Sequence, residues 1–213
     1  LIGRSVLNRP EEFRMDVAQI FAMQHRHSEM LDEYLAMLLA QPAFLNSVEN
    51  YLFSALTRDI DENLLDLTQQ KTLAYIQRFP GLNVFSELLI WVYIQQNEYE
   101  LAVDQAISVD IRSRNNGMRT LSLARSARQG GDYLSAIRAY EHIIEHGASA
   151  INPTQNTGRP TQNPYYQALV ERNQSQLQKL EEHSSSTRAD YQTLFNNYQS
   201  AVVLLPDLLQ KAS

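Results

Sequence analysis

The sequence predicts an all-α fold in which helical hairpins stack side by side and a further pair of helices follows at the C-terminal end. Three features lead to this prediction. They are a 34-residue periodicity of small and aromatic side chains, short polar turns at matching places in each period, and two apolar helical stripes after Pro164. The chain has 213 residues, of which 44% are hydrophobic, and this is enough apolar material to fill a sizeable core.

In the middle of the chain, small, aromatic and aliphatic side chains recur in the same order in two consecutive blocks. The small positions, Ala102 and Ala136, are separated by one full period. Two antiparallel helices cross closely only where a small side chain on one admits a large side chain from the other, so a helical hairpin needs such positions. The blocks are Leu89, Tyr93, Tyr99, Ala102, Ala106 and Val109, then Leu123, Ala127, Tyr133, Ala136, Tyr140 and Ile143.

Short polar segments separate the predicted helices. Residues 96–98 (Gln-Asn-Glu) and 130–132 (Gly-Gly-Asp) lie between the two helices of a hairpin, and residues 115–117 (Asn-Asn-Gly) separate one hairpin from the next. Gly and Asn tolerate a left-handed backbone, and an acidic residue can cap the following helix. Gly147 is placed to close the last helix of the array.

The period and the order of its residues resemble the tetratricopeptide repeat, whose unit carries an ordered pattern of Trp, Leu-Gly, Tyr, Ala, Phe and Pro and has the same length. Tyr93, Tyr99, Ala102, Ala136 and Tyr140 stand at matching positions. The resemblance implies a right-handed α-solenoid, an α-α superhelix of stacked hairpins. An irregular helical bundle with coincidental spacing is the alternative.

Four repeats are predicted within residues 1–150, at approximately 11–44, 49–82, 83–116 and 117–150. The two earlier repeats match the family less closely, because Met30 and Thr68 stand where the family has a small residue. A proline follows each of them twelve positions later, where the family places its terminal proline. The step from Met30 to Thr68 is longer than the period and adds a short insertion, which a solenoid accommodates between repeats.

The last third of the chain is predicted to contain a loop and two helices. Residues 151–163 are rich in Pro, Asn and Thr, which favours a loop, and residues 164–213 return to helical spacing. This C-terminal helical hairpin is expected either to cap the array as a degenerate repeat or to pair with a second copy, giving a homodimer. Its apolar stripes are Tyr166, Val170, Leu177 and Leu180, then Tyr191, Leu194, Phe195, Tyr198, Val202 and Leu205.

In the family that the chain resembles, the first helix of each repeat lines a concave groove that takes a peptide or a helix. The resemblance therefore implies a non-catalytic interaction scaffold whose partner is another protein or peptide. Trp91 offers a large contact area, and Arg125 and Arg128, one turn apart, can receive a carboxylate, so we expect a partner with an apolar anchor and an acidic group. Packing between repeats for Trp91 and simple solvation for the arginines are the alternatives. The groove positions carried over are Met15, Gln19, Met23, Phe53, Thr57, Glu87, Trp91, Ile94, Gln95, Leu121, Arg125 and Arg128.

One sequence motif is typical of a catalytic metal site. Residues 142–146 read His-Ile-Ile-Glu-His, which places His142 and His146 one turn apart with Glu145 as a candidate base, as in inverted zincin peptidases. The same residues end the second helix of a predicted repeat, where a His also favours the helix dipole, and no third ligand is evident. We therefore expect no enzyme activity, metal or cofactor, and a zinc metallopeptidase is the remote alternative.

Composition excludes several classes of partner. The chain has 18 Lys and Arg against 24 Asp and Glu, a formal charge of −6, so no global positive field attracts nucleic acid. There is no cysteine for disulfides or thiolate metal sites, and no apolar run approaches the roughly 20 residues that cross a bilayer, so no membrane insertion is expected within this segment. Because Leu1 is preceded by no initiator Met or signal segment, we expect a fragment or processed product. The sequence leaves the compartment, cytoplasmic or periplasmic, open.

Overall fold

The computed structural model describes residues 13–58, 63–114, 117–147, 163–182 and 186–204. Within these ranges the chain forms ten α-helices, one short 3-10 helix at Pro42–Phe44 and no β-strand, so the prediction of an all-α fold is confirmed. The helices are α1 (Arg14–Met23), α2 (His27–Ala40), α3 (Leu45–Arg58), α4 (Leu64–Arg78), α5 (Asn83–Gln95), α6 (Tyr99–Ser113), α7 (Met118–Gln129), α8 (Tyr133–Gly147), α9 (Pro164–Glu182) and α10 (Arg188–Leu204).

The predicted period is visible in the bounds of the helices. The first residues of α6 and α8, Tyr99 and Tyr133, are one full period apart, and so are their last residues, Ser113 and Gly147. Each predicted repeat spans one pair of consecutive helices, from α1 and α2 to α7 and α8, and α9 and α10 follow as the C-terminal pair. Most of the predicted loop 151–163, the turn residues at 115 and 116, and Leu205 lie outside the described residues.

The chain divides into two compact units, Leu1–Gln96 and Asn97–Ser213. The first unit contains α1 to α5 and the second contains α6 to α10. The division falls in the predicted turn between the two helices of the third repeat. None of the described helices is long and apolar enough to cross a bilayer.

In the first unit, α1 packs against α2 and α4 packs against α5, while α2 also contacts α4 and α3 contacts α5. The ion pair between Arg14 and Glu33 joins α1 to α2, and the one between Lys71 and Asp32 joins α4 to α2. Burial of large apolar side chains supplies most of the stabilisation. The core includes Ala18, Met30, Leu31, Tyr34, Leu35, Leu38, Val48, Leu52, Leu64, Phe85 and Leu88.

In the second unit, every helix from α6 to α10 packs against the next one, and α6 with α8 and α7 with α9 make further contacts. Asp110 of α6 also caps the N-terminal turn of α7. Asp110 is buried, and one of its carboxylate oxygens accepts hydrogen bonds from the Thr120 backbone N–H at 2.9 Å and from the Thr120 hydroxyl at 2.8 Å. Contacts of each helix with the next and with the one after are typical of stacked hairpins. The superhelical arrangement of the whole chain stays a prediction.

The four positions at which the repeat pattern expects a small residue are all buried. Met30, Ala102 and Ala136 are 0% exposed and Thr68 is 1% exposed, so the predicted burial of the two alanines is confirmed. The Thr68 hydroxyl donates a hydrogen bond to the Leu64 carbonyl oxygen at 2.7 Å, which satisfies this polar group inside its own helix. The larger Met30 is accommodated within the core of the first unit.

The turns that end α1, α5 and α7 share one backbone feature. His25, Asn97 and Gly131 have φ angles of 54°, 59° and 83°, all in the left-handed region. This confirms the expectation that 96–98 and 130–132 contain left-handed positions. Asp132 accepts a hydrogen bond from the Ser135 backbone N–H at 3.0 Å and so caps α8, as its residue type predicts.

The side chains that the C-terminal helices bury coincide only in part with the predicted apolar stripes. The buried side of α9 consists of Tyr165, Ala168, Leu169, Asn173 and Ser175, whereas Tyr166, Val170, Leu177 and Leu180 are only partly buried. The prediction followed the large apolar side chains, but the small residues permit the closest approach to the neighbouring helices. In the predicted apolar stripe of α10, Leu194 is buried, whereas Tyr191, Phe195 and Val202 are exposed.

The end of α7 provides a test of the hairpin geometry. A Cβ added at Gly130 would overlap the phenol group of Tyr99, which is itself buried. We expect Gly130→Ala to lower the free energy of unfolding by about 1–3 kcal/mol, because the Tyr99 ring must shift within a packed core. Urea denaturation measures this loss.

Gly81→Ala is the matched control, because nothing lies within 4 Å of a Cβ at that position and its effect should be small. In a Tyr99→Leu background, Gly130→Ala should lower the free energy of unfolding by a smaller amount, since the clashing ring has been removed. An equal cost in both backgrounds would contradict the steric explanation.

Candidate functional site

The predicted groove positions of the first unit lie on α1, α3 and α5. Met23 is 75% exposed, Phe53 is 53% exposed and Thr57 is also exposed, so these side chains are available to a partner. Trp91 is partly buried and packs against the core of the first unit with part of its ring. The other partly buried positions are Met15, Gln19, Glu87, Ile94 and Gln95.

Helices α3 and α5 contact each other and carry the same pair of residue types. Glu49 precedes Phe53 by four positions on α3, and Glu87 precedes Trp91 by four positions on α5. Residues four apart lie on the same face of a helix, so each helix presents a carboxylate next to an aromatic ring. We call the surface made by these four residues the α3–α5 face. Glu49 was not among the residues predicted from the sequence, although the repeated Glu-x-x-x-aromatic spacing is a signal that identifies it.

Glu49 has an unusual electrostatic environment. Burial, reinforced by the negative charge of Glu87, raises the pKa of Glu49 to about 7. Among the described residues, Glu49 has no hydrogen-bond or ion-pair partner. A carboxylate in this state is stabilised by a cation that comes close to it, because the charge then compensates both the burial and the repulsion.

A pocket of about 390 Å³ lies elsewhere in the first unit, between α1, α2, the 3-10 helix and α3. The exposed rings of Phe13, Phe44 and Tyr51 line it together with Met37 and Met15, which is the one predicted groove residue in the pocket. The volume is near the lower end for ligand sites, and the lining is largely apolar. The pocket is suited to an apolar side chain.

Among the predicted groove positions of the second unit, Leu121 belongs to the core. It is 0% exposed, so it does not contribute to a binding surface. The prediction carried Leu121 over by its place in the repeat, but an aliphatic residue at this position of α7 is buried together with Ala124. Arg125 and Arg128 remain partly exposed.

Arg125 already binds a carboxylate, and that carboxylate belongs to the same chain. Its Nε atom lies 3.1 Å and 2.9 Å from the two carboxylate oxygens of Glu171 on α9, and its Nη2 atom bonds to Glu171 and to Gln167. Such bidentate pairs are among the stronger polar interactions in proteins. The prediction that Arg125 receives a carboxylate from a partner therefore needs correction, because α9 supplies one.

Further hydrogen bonds extend this contact along α9. The hydroxyl of the fully buried Tyr140 donates to Glu171 at 3.0 Å, Arg128 donates to Gln174 at 2.8 Å, and the Tyr133 hydroxyl donates to Glu182 at 2.7 Å. Burial alone would raise the pKa of Glu171, but the hydrogen bonds from Arg125 and Tyr140 outweigh burial and hold the pKa below its ordinary value. The surface of α7, the first helix of the predicted fourth repeat, is thus occupied by α9.

The H-x-x-E-H motif forms the end of α8. The rings of His142 and His146 stack with centroids 4.2 Å apart, and the Nδ1 atom of His146 lies 2.9 Å from the His142 carbonyl oxygen. Across the described ranges, no group of three or more His, Cys, Asp or Glu residues is arranged to hold a metal ion. Within these ranges the two histidines therefore fall short of the three or four protein ligands that zinc sites use.

We expect Glu171→Gln to lower the free energy of unfolding by about 1–2 kcal/mol at pH 7, because it breaks a bidentate pair and leaves Arg125 without its counter-charge. The lowered pKa of Glu171 means that this stabilisation is present above the unfolded-state value and is lost as pH falls through the folded-state pKa. The difference in the free energy of unfolding between the variant and the parent should therefore disappear at acidic pH. Urea denaturation at several pH values measures it, and Glu181→Gln, exposed on the same helix, is the control.

Comparisons with known proteins do not assign this chain to a family. No protein-family model matches it, and no curated protein matches it. The resemblance to tetratricopeptide repeats therefore depends on the residues themselves, chiefly on the spacing of one period between Tyr99 and Tyr133 and between Ala102 and Ala136.

Proposed function

We propose that the chain is a non-catalytic protein–protein interaction scaffold of tetratricopeptide-type repeats, which binds a peptide or helix of a partner protein on the first helices of its repeats. One observation carries the proposal. Helices α3 and α5 pack together, and both present an aromatic residue at the predicted groove position, with Phe53 more than half exposed. Large aromatic side chains on a surface are typical anchors of protein interfaces.

The position of Phe53 favours a binding role over a structural one. The same helix buries Val48 and Leu52 completely, so α3 already has a face that stabilises the first unit. Phe53 lies next to Leu52 in sequence and therefore points to another side of the helix. An exposed ring on that side contributes little to the core but gains free energy when a partner covers it.

Of the two features expected of the partner, the apolar anchor has better support than the acidic group. An apolar anchor has Phe53 and Trp91 to bind, whereas an acidic group directed at Arg125 must displace Glu171. We therefore place the partner contact on the α3–α5 face.

Phe53→Ala should reduce capture of the partner from a native lysate by about tenfold or more, because it removes an exposed anchor of the interface. The fold should be unaffected, since the ring contributes little to the core. Affinity capture followed by quantitative mass spectrometry, with circular dichroism to verify folding, measures both effects.

Phe195→Ala is the matched control, because Phe195 on α10 is the same residue type and is 55% exposed. It should capture the same proteins as the parent chain. Equal capture by the parent and by both Phe53→Ala and Trp91→Ala variants would remove the α3–α5 face from the proposal.

A second candidate function is self-association through α10. Tyr191, Phe195, Val202 and Val203 are exposed on this helix, and residues 191–204 contain no charged side chain. Depletion of charge together with exposed aromatic residues is characteristic of the centre of an interface. A two-fold interface requires a surface that is complementary to itself, and an uncharged stripe meets its own copy without repulsion.

If α10 mediates self-association, light scattering should show an average mass that rises with protein concentration toward twice the chain mass. Phe195→Lys should hold the mass at the monomer value, because it places like charges opposite each other in a symmetric contact. Phe53→Ala is the control and should associate as the parent does. Monomeric behaviour of the parent over a wide concentration range would exclude this function.

A further inference from the structure

The pocket between α1, α2, the 3-10 helix and α3 brings together aromatic rings from three different elements. Phe13 lies directly before α1, Phe44 ends the 3-10 helix and Tyr51 belongs to α3. They are 55%, 39% and 37% exposed. Large apolar groups that stay exposed around one concavity mark a binding site more often than apolar residues scattered singly over a surface. The volume of about 390 Å³ suits a single large side chain.

The backbone of Phe13 is strained at the position that presents this ring. Its φ of 60° and ψ of 20° lie in the left-handed region, which bulky residues rarely adopt. The exposed ring gains little from the core of the first unit in return. Backbone strain that packing does not explain is concentrated at functional sites. The conformation of Phe13 therefore adds to the case for a binding role of this pocket.

Two charged side chains line the pocket, and only one of them is compensated. The guanidinium of Arg14 lies 2.9 Å from a carboxylate oxygen of Glu33, and both side chains are largely buried. Asp16 is exposed, and within the described ranges it has no hydrogen-bond or ion-pair partner. The first turn of α1 favours an acidic residue, but the partial charge of a helix end balances a full negative charge only in part. The rim of the pocket therefore has an uncompensated negative charge.

We propose that this pocket binds a large apolar side chain of another polypeptide, and that a Lys or Arg two residues away in that polypeptide pairs with Asp16. The apolar side chain covers the aromatic rings together with Met15 and Met37, which also line the pocket. An extended segment places residues two apart on the same side, so one segment presents both groups to the pocket. The pocket shares no residue with the α3–α5 face, so this inference goes beyond the proposed function and does not depend on it.

Charge complementarity favours a basic foreign segment over a second copy of the chain. A second copy carries a formal charge of −6, which opposes its approach to an acidic rim, whereas Asp16 attracts a Lys or Arg. Residues 1–10 of the chain itself contain Arg4 and Arg9, lie outside the described residues and are the competing occupant. Binding of an added peptide separates these occupants, because a segment of the chain that filled the pocket would block it.

Methionine methyl groups allow a direct test, because two of the five methionines, Met15 and Met37, line the pocket. Met30 lies in the core, and Met23 and Met118 are exposed elsewhere. The probe is a capped tripeptide, Phe-Ala-Lys, added to the whole chain isotope-labelled at its methionine methyl groups. The ring of the peptide should shift the NMR signals of Met15 and Met37 in a saturable way and leave the other three in place.

Related peptides separate the apolar contact from the ionic one. Ala-Ala-Lys lacks the anchor and should cause no saturable shift. Phe-Ala-Gln should bind about threefold more weakly than Phe-Ala-Lys, because an exposed ion pair contributes modestly to affinity. Phe-Ala-Glu should bind about tenfold more weakly, because it brings a like charge to the rim.

Variants locate the two contacts. Asp16→Asn should weaken binding of Phe-Ala-Lys by about threefold and leave Phe-Ala-Gln unchanged, whereas Glu181→Gln, which changes the net charge equally but lies on α9, should affect neither. Phe44→Ala should weaken binding of Phe-Ala-Lys by about tenfold, because it removes a ring of the pocket. Phe53→Ala, outside the pocket, is the matched control and should bind the peptide as the parent does.

Two results would overturn the inference. One is equal binding of Phe-Ala-Lys and Phe-Ala-Glu, and the other is the absence of a saturable shift at Met15 and Met37. In the second case, signals that move on introduction of Leu7→Gln would identify residues 1–10 as the occupant, and signals that move on dilution of the chain alone would identify a second copy. Capture of the partner by the Phe53→Ala variant tests the proposed function separately, so either proposal can fail without the other.

Discussion

Burial of the four positions at which the predicted repeat expects a small residue is the constraint on which the described structure depends. Ala102 and Ala136 are fully buried, as are Met30 and Thr68 at the corresponding places in the first unit. Burial at these positions fixes the face that each second helix turns toward its neighbours. Among the first helices, α3 keeps Phe53 exposed, and the proposed function depends on that surface.

Equivalent positions in the two units have different neighbours. Glu87 and Trp91 of α5 correspond by the 34-residue period to Leu121 and Arg125 of α7. In the second unit the aliphatic residue is buried and the arginine binds Glu171 of α9, so the chain itself covers this surface. In the first unit the corresponding positions carry a carboxylate and an indole ring that are only partly buried. Sequence differences at two positions thus accompany a surface that α9 covers in the second unit and side chains that are only partly buried in the first.

The periodicity was sufficient to predict the helices. A helical hairpin needs a small residue such as Ala136 and a turn residue such as Gly131, and both are visible in the local sequence. The period was not sufficient to predict the contacts of the site. Arg125 and Glu171 are 46 residues apart in the chain, and no local pattern couples them. The buried face of α9, which contains Ala168 and Asn173, does not follow from its apolar stripe for a related reason. Apolar size alone does not identify which side of a helix fits its neighbours.

Charge gives the two exposed aromatic surfaces different selectivity. Phe53 follows Glu49 by one turn of α3, and a carboxylate next to the anchor disfavours an acidic chain. Phe195 lies on a helix whose C-terminal part, residues 191–204, carries no charge and rejects neither. A protein with a net charge of −6 that needs to bind a foreign segment on one surface without binding its own copies there gains from placing its acidic residues next to the anchor. The part of α10 without charge lacks carboxylates next to its exposed rings, which is why we propose self-association for that helix and partner binding for the α3–α5 face.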